Sequence, residues 1–260
     1  RANSLPMSFA TTARDRFSRV CRVFDAPSPA GAAARLSAWA LPLAVLAAAI
    51  ATRLAPAGLL LAISLFAVMA ALAVAGLRQA YAHQRLGLCN MVTLGRAALA
   101  ASLVAPLATT EPLSPEDEWL VVAVATVALA LDGIDGWLAR RNGLASSFGA
   151  RFDMEVDAAL GLILALLVLA SGKLGPWILA LGAMRYAYVA AALVLPWLNG
   201  SLPEAYRRKA ICVVQIAALI ALNAPVVTGA PATLLAVAAT LALGWSFAID
   251  IVWLARRRRP

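Results

Sequence analysis

The chain has 260 residues, of which 63% are hydrophobic, with a mean hydropathy of +0.83 and a formal net charge of +9. These values exclude an ordinary soluble domain and point to a polytopic membrane protein. A single histidine, His83, and three cysteines without ligand spacing, Cys21, Cys89 and Cys212, argue against a histidine-based catalytic triad or a zinc site.

Six residues, Arg1 to Pro6, precede Met7, which reads as the natural start. No cleavable signal peptide is expected, because the first apolar run begins only near Leu36. Before it, Phe9, Ala13, Phe17, Val20 and Phe24 recur at three- and four-residue steps, with Arg14, Arg16, Arg19 and Arg22 on the other faces. That pattern predicts an amphipathic helix on the membrane surface, the alternative being a basic arm. A spanning helix needs about 20 apolar residues, and eight spans are predicted, over 36–53, 58–77, 91–109, 119–139, 152–171, 176–197, 210–228 and 232–254. Proline, glycine or charge marks each break. Basic residues precede the first span and follow the second, fourth, sixth and eighth, while one of the other loops holds Glu111, Glu116, Asp117 and Glu118. By the positive-inside rule both termini are cytoplasmic. The closing run Arg256 to Arg259 reads as a topology anchor that touches lipid headgroups, and no nucleic-acid partner is expected. The preference for alanine and arginine over isoleucine and lysine fits a GC-rich bacterial gene, and hence a bacterial cytoplasmic membrane.

Four aspartates, Asp132, Asp135, Asp153 and Asp157, stand at the fourth and fifth predicted spans. Carboxylates at membrane depth are costly and need partners. Separations of three and four residues place each pair on one helix face. The polar connection from Arg140 to Gly149 returns the second helix antiparallel to the first. From Asp132 to Arg140 the helix rises about 12 Å, so the cluster occupies the cytoplasmic third of the membrane. No set of basic residues on the same faces can neutralise four acids, and two hard divalent cations with oxygen ligands are the cheapest partner. Carboxylate-held metal in turn points to phosphate chemistry. Gly136, Ala139 and Gly149 keep the neighbouring surface flat, and Arg140 offers a fork suited to a diphosphate.

The run reads D-x2-D-G-x2-A-R-x8-G-x3-D-x3-D from Asp132 to Asp157 without a departure. It resembles the CDP-alcohol phosphotransferase family, over roughly 88–254. The resemblance implies a six-helix catalytic core over 88–260 within an all-α membrane fold; the two additional transmembrane helices over 36–87 lie outside that core and are not explained by it, and 1–35 reads as a cytoplasmic arm with the amphipathic helix. It implies transfer of a phosphoalcohol from a CDP-linked donor to an acceptor hydroxyl with release of CMP. Asp132, Asp135, Asp153 and Asp157 would hold two divalent ions, Mg or Mn, with Asp157 also the proposed general base. Gly136, Ala139, Arg140 and Gly149 would line the CDP pocket, and many members are homodimers. An ordinary aspartate, with a pKa of about 3.9, is a weak base. That role therefore requires acidic neighbours or a metal-activated hydroxyl, and a ligand-only role for Asp157 stays open.

Asn90, Thr93 and Arg96 open the third span at three-residue steps and are similar to the family's P-N-x-x-T-x-x-R entry, with Cys89 in place of the proline. Asn90 and Thr93 would reach the nucleotide, or else serve as a helix cap and a backbone-bonded hydroxyl. Arg96 is expected to pair with a carboxylate or a lipid phosphate. Arg207, Arg208 and Lys209 form a cationic cluster suited to an anionic acceptor, or to topology alone. Arg185, mid-span, is expected either to bind phosphate or to pair with an acid. Asp250 is expected to make a contact at the chain's end beside Arg256, and Glu155 is placed off the motif face.

The leading expectation is transfer of a phosphatidyl group from CDP-diacylglycerol to a small polar alcohol in phospholipid synthesis. The alternatives are a CDP-aminoalcohol donor with a lipid hydroxyl acceptor, a cation transporter using the acids as its transport site, and a lipid-binding scaffold with a dead site.

Overall fold

The computed structural model describes residues 29–80, 87–142, 146–200, 202–203 and 205–257, and their side chains except at 29, 30, 80, 135–142 and 147. The surface helix expected over 9–24 lies outside these residues. Among the described residues the chain forms eight α-helices: α1 Pro29–Leu54, α2 Leu59–Ala80, α3 Leu88–Ser102, α4 Pro115–Asn142, α5 Ser147–Ala170, α6 Leu179–Val194, α7 Tyr206–Asn223 and α8 Gly229–Arg257. Five stretches are long and apolar enough to cross a membrane: Gly31–Leu54, Pro56–Gln79, Leu88–Ala108, Pro176–Val194 and Gly229–Arg257. The other three helices, α4, α5 and α7, carry the acidic and basic clusters. Large apolar side chains such as Leu41, Leu60, Leu72, Leu193, Leu234 and Leu241 face outward. A bilayer accepts that arrangement, because the backbone polar groups are satisfied within each helix. The protein is an all-α polytopic membrane protein.

Proline and glycine set the helix ends. α3 stops at Ser102, short of the expected 109, because Pro106 lacks the donor a continuing helix needs and the chain turns into a 3-10 segment, Ala105–Ala108. A second 3-10 segment, Pro176–Ile178, precedes α6. Gly172 and Gly229 adopt φ of 70° and 63°, a left-handed conformation open to glycine, after α5 and at the start of α8. Charge fixes the end of the bundle remote from the aspartates. Arg53 donates to Asp117 at 2.5 Å, and Lys173 Nζ reaches Glu118 at 3.2 Å and the Ala224 carbonyl at 3.0 Å. These bonds tie the start of α4 to the ends of α1, α5 and α7.

α3 and α5 lie at the centre. α3 packs on α1, α2, α4 and α5, and α5 packs on α2, α3, α6 and α7. One core joins α3, α4, α5, α7 and α8 around Leu103, Leu160, Leu164, Leu219 and Leu222. A second joins the α1–α2 hairpin to α3 and to Phe148, Phe152 and Val156 of α5. Two close approaches seat that hairpin. At Gly58, in the 3-10 turn between α1 and α2, a Cβ would overlap the Ala105 backbone, so glycine is required. At Gly76 a Cβ would stand 2.6 Å from Phe148 Cε2, and Phe148 is stacked on Phe152 with 6.0 Å between centroids. The first two helices therefore brace the opening turns of α5.

Candidate active site in the membrane

The turn that opens α5 begins with Ser146, whose hydroxyl accepts from the Gly149 amide at 3.0 Å and caps the helix. Gly149 thus lies in the first helical turn, not in the polar connection assigned to it from the sequence. From there Asp153 and Asp157 follow at one-turn intervals on the face toward α3 and α4. Asp132 comes from α4, running the opposite way. One carboxylate oxygen from each of Asp132, Asp153 and Asp157 lies within 4.8 Å of the others. Asp135, Gly136, Ala139 and Arg140 lie on the last turns of α4, and their side chains are outside the described set.

The third wall is α3, which turns Asn90, Thr93 and Arg96 inward at three-residue steps. All three are buried, Arg96 completely. Its Nε donates to the Ala128 carbonyl at 3.1 Å, holding the guanidinium in place. Nη1 donates to Asp153 and lies 3.1 Å from Asp132 Oδ1, and Nη2 donates to Asp157. Arg96, expected to pair with a carboxylate or a lipid phosphate, thus meets three carboxylates from two other helices. The signal was present in the Asn90–Thr93–Arg96 register, but nothing in it showed which helix that face meets.

Asn90 and Thr93 resolve differently. Thr93 Oγ1 donates to the Cys89 carbonyl at 2.9 Å, a local bond within the helix. Asn90 is not a cap, since Gly87 holds that position. Asn90 Nδ2 is buried with no hydrogen-bond partner among the described residues, and Asn90 Oδ1 lies 3.3 Å from where a Gly149 Cβ would stand. An orphaned buried donor is rare and costly. Here it lies beside a glycine step at the mouth of the acid cluster, where a ligand acceptor would satisfy it.

The remaining expected site residues are engaged elsewhere. Arg185 Nη2 donates to Glu155, off the aspartate face, while its Nε is buried and unpaired. Arg207 donates to Ser246 Oγ at 2.5 Å and to Asp250 at 2.5 Å, and Arg208 lies 3.5 Å from the same carboxylate. Asp250 therefore serves the start of α7 rather than the neighbouring Arg256. Lys209 is exposed. Gln215 donates to the Leu181 carbonyl at 2.5 Å, locking α7 to α6. The Ser246 contact was not anticipated, because a serine mid-helix carries no sequence signal of its tertiary partner.

The carboxylates fit a hard cation. With metal–oxygen bonds of about 2.1–2.4 Å, two ligands of one ion stand at most about 4.2–4.8 Å apart, and the three oxygens lie within 4.8 Å of one another. The fold and this site define a helical membrane protein with an intramembrane acidic centre suited to divalent metal and phosphate. The family model for CDP-alcohol phosphatidyltransferase matches residues 86–249, and the chain belongs to that family. Transfer of a phosphoalcohol group from a CDP-alcohol is the family's reaction. Searches of curated proteins and of solved structures found no match.

Proposed function

We propose that this protein transfers a phosphatidyl group from CDP-diacylglycerol to the hydroxyl of a small polar alcohol, releasing CMP, at the cytoplasmic side of the membrane. The observation that carries this reading is the gathering of Asp132, Asp153 and Asp157 from two antiparallel helices beside the unpaired Asn90 amide. Such a centre can take a diphosphate whose lipid tail stays in the bilayer.

The residues divide the work. Asp132, Asp135, Asp153 and Asp157 would hold two divalent cations, Mg or Mn. When bound, these offset the diphosphate charge and stabilise CMP as leaving group. Asn90 would donate to the nucleotide moiety, with Thr93, Gly136, Ala139, Arg140 and Gly149 shaping its pocket. The acceptor oxygen attacks the lipid-side phosphorus, the bond from that phosphorus to the bridging oxygen breaks, and CMP leaves with the electron pair. Asp157 would receive the hydroxyl proton. Its Oδ1 accepts from Arg96, and Oδ2 has no hydrogen bond among the described residues. The catalytic unit would be 88–260 and the working assembly a homodimer; the two added helices begin at Pro29, earlier than the expected 36, which shortens the proposed cytoplasmic arm to the residues before it. Arg185, Arg207, Arg208 and Lys209 would recognise the acceptor, three of them already held by Glu155 or Asp250 and Lys209 exposed.

The test is CMP release from proteoliposomes supplied with labelled CDP-diacylglycerol and a panel of acceptor alcohols, with Mg or with chelator. Labelled CDP-choline with diacylglycerol forms the second arm. Metal-dependent CMP in the first arm is expected. CMP only in the second arm would reverse donor and acceptor, and none in either would overturn the reading.

A further inference from the structure

We propose that Arg96 is the resident counter-ion of the acidic centre, standing where a divalent cation would stand, so that metal entry and release of this arginine from Asp132 and Asp153 are one event. The inference rests on the metal-holding reading given above. It is carried by the position of the guanidinium.

Arg96 Nη1 lies 3.1 Å from Asp132 Oδ1 and also donates to Asp153. One carboxylate oxygen from each of Asp132, Asp153 and Asp157 lies within 4.8 Å of the others. A cation bonded to the same oxygens at about 2.1–2.4 Å would fall within van der Waals range of Nη1. The two cannot share those lone pairs, and two positive groups so close repel. Two other described bonds anchor Arg96 away from Asp132 and Asp153. Nε stays on the Ala128 carbonyl at 3.1 Å and Nη2 stays on Asp157. The side chain can therefore yield two carboxylates by a small rotation without leaving its seat on α4.

Burial makes the arrangement necessary. Arg96 is fully buried and Asp132 is 9% exposed. Acids held this close repel one another out of water, and an arginine held by a backbone carbonyl neutralises part of that charge until metal arrives. Two consequences follow. The site keeps its shape without metal, and metal binds less tightly than four carboxylates alone would allow.

The experiment is Mn2+ titration of the purified full chain in detergent, without substrate. Free Mn2+ is followed by electron paramagnetic resonance, and thermal unfolding is recorded on the same samples. Wild type, Arg96→Gln and Arg96→Lys are compared. Arg96→Gln is expected to bind Mn2+ at least ten-fold more tightly, and Arg96→Lys, which keeps the charge, to stay within three-fold of wild type. If Arg96→Gln unfolds in chelator but is restored by Mn2+, the proposal is supported, since the acids then need one cation or the other. If it stays folded with unchanged or weaker affinity, or is not restored by Mn2+, Arg96 is a scaffold residue and the proposal is overturned. A wild type that takes up no Mn2+ would overturn the metal reading together with this one. Wild-type binding without the Gln effect would overturn this one alone.

Discussion

Replacing Asp132 by asparagine should abolish activity while making the metal-free protein more stable. The magnitude comes from the three carboxylates and Arg96. Two carboxylates 4.8 Å apart repel by about 3.5 kcal/mol at an effective dielectric of about 20. Asp132 has two such neighbours and loses about 7 kcal/mol of repulsion when neutralised. Its attraction to Arg96 at 3.1 Å is worth about 5 kcal/mol on the same scale. The balance favours Asp132→Asn by about 2 kcal/mol before screening, and the 32% exposure of the Asp153 side chain reduces it toward about 1 kcal/mol. The asparagine keeps an acceptor for Arg96 Nη1, so the geometry survives. Thermal unfolding in chelator should show a midpoint higher by roughly 2–6 °C. Adding Mn2+ should raise the wild-type midpoint and leave the variant nearly unmoved, and CMP release should fall at least 100-fold. A variant less stable than wild type in chelator, or one that retains CMP release, would refute the charge argument.

Asn90→Ala should raise KM for the CDP-linked donor about ten-fold while leaving unfolding temperature unchanged or higher, because it removes an unsatisfied buried donor; a loss of stability with normal KM would mark Asn90 as structural. Gly76→Ala brings a Cβ to 2.6 Å from Phe148 Cε2. It should cost about 1–3 kcal/mol, and a displacement of about 1 Å at the first turn of α5 should lower kcat/KM up to about 100-fold. Gly244→Ala, with open space around the new methyl, is the control in the same unfolding and CMP assays. Asp250→Ala releases Arg207 and Arg208 and should lower stability by about 1–3 kcal/mol with Mn2+ affinity unchanged; altered Mn2+ binding would mean that the start of α7 belongs to the metal centre.

Much of this architecture is legible in the chain itself. Eight apolar runs read as spans and a helix lies at each among the described residues, but only five of those helices are apolar enough to cross a membrane, because the charged residues of α4, α5 and α7 lower their apolar character. The helix ends deviate where Pro106 stops α3 early and where Arg207–Lys209 enter the first turn of α7. The aspartates were legible as one site because three- and four-residue steps fix a helix face. Arg96 reads as the partner of a carboxylate or a lipid phosphate, but which acids it meets was not legible. Arg96 is 36 residues from Asp132 and meets it through tertiary packing, as Arg207 meets Asp250 across 43 residues. A single sequence records which face a residue occupies and not which helix lies opposite. Glu155 shows the strength and the limit of the same logic: spacing set it apart from the aspartates, yet its partner Arg185 lies on a different helix, 30 residues on.

The brace at Gly76 and Phe148 bears on how this enzyme could be re-engineered. The stretch that carries the family signature begins at residue 86, yet α2 covers the flank of the helix that bears Asp153 and Asp157. A chimaera cut at that boundary would leave Phe148, Phe152 and the outer side of α3 facing acyl chains, and the opening of α5 would lose its backing. Any transplant of this catalytic half into another scaffold must bring the leading hairpin with it, as part of the wall of the reaction chamber rather than as a spare anchor.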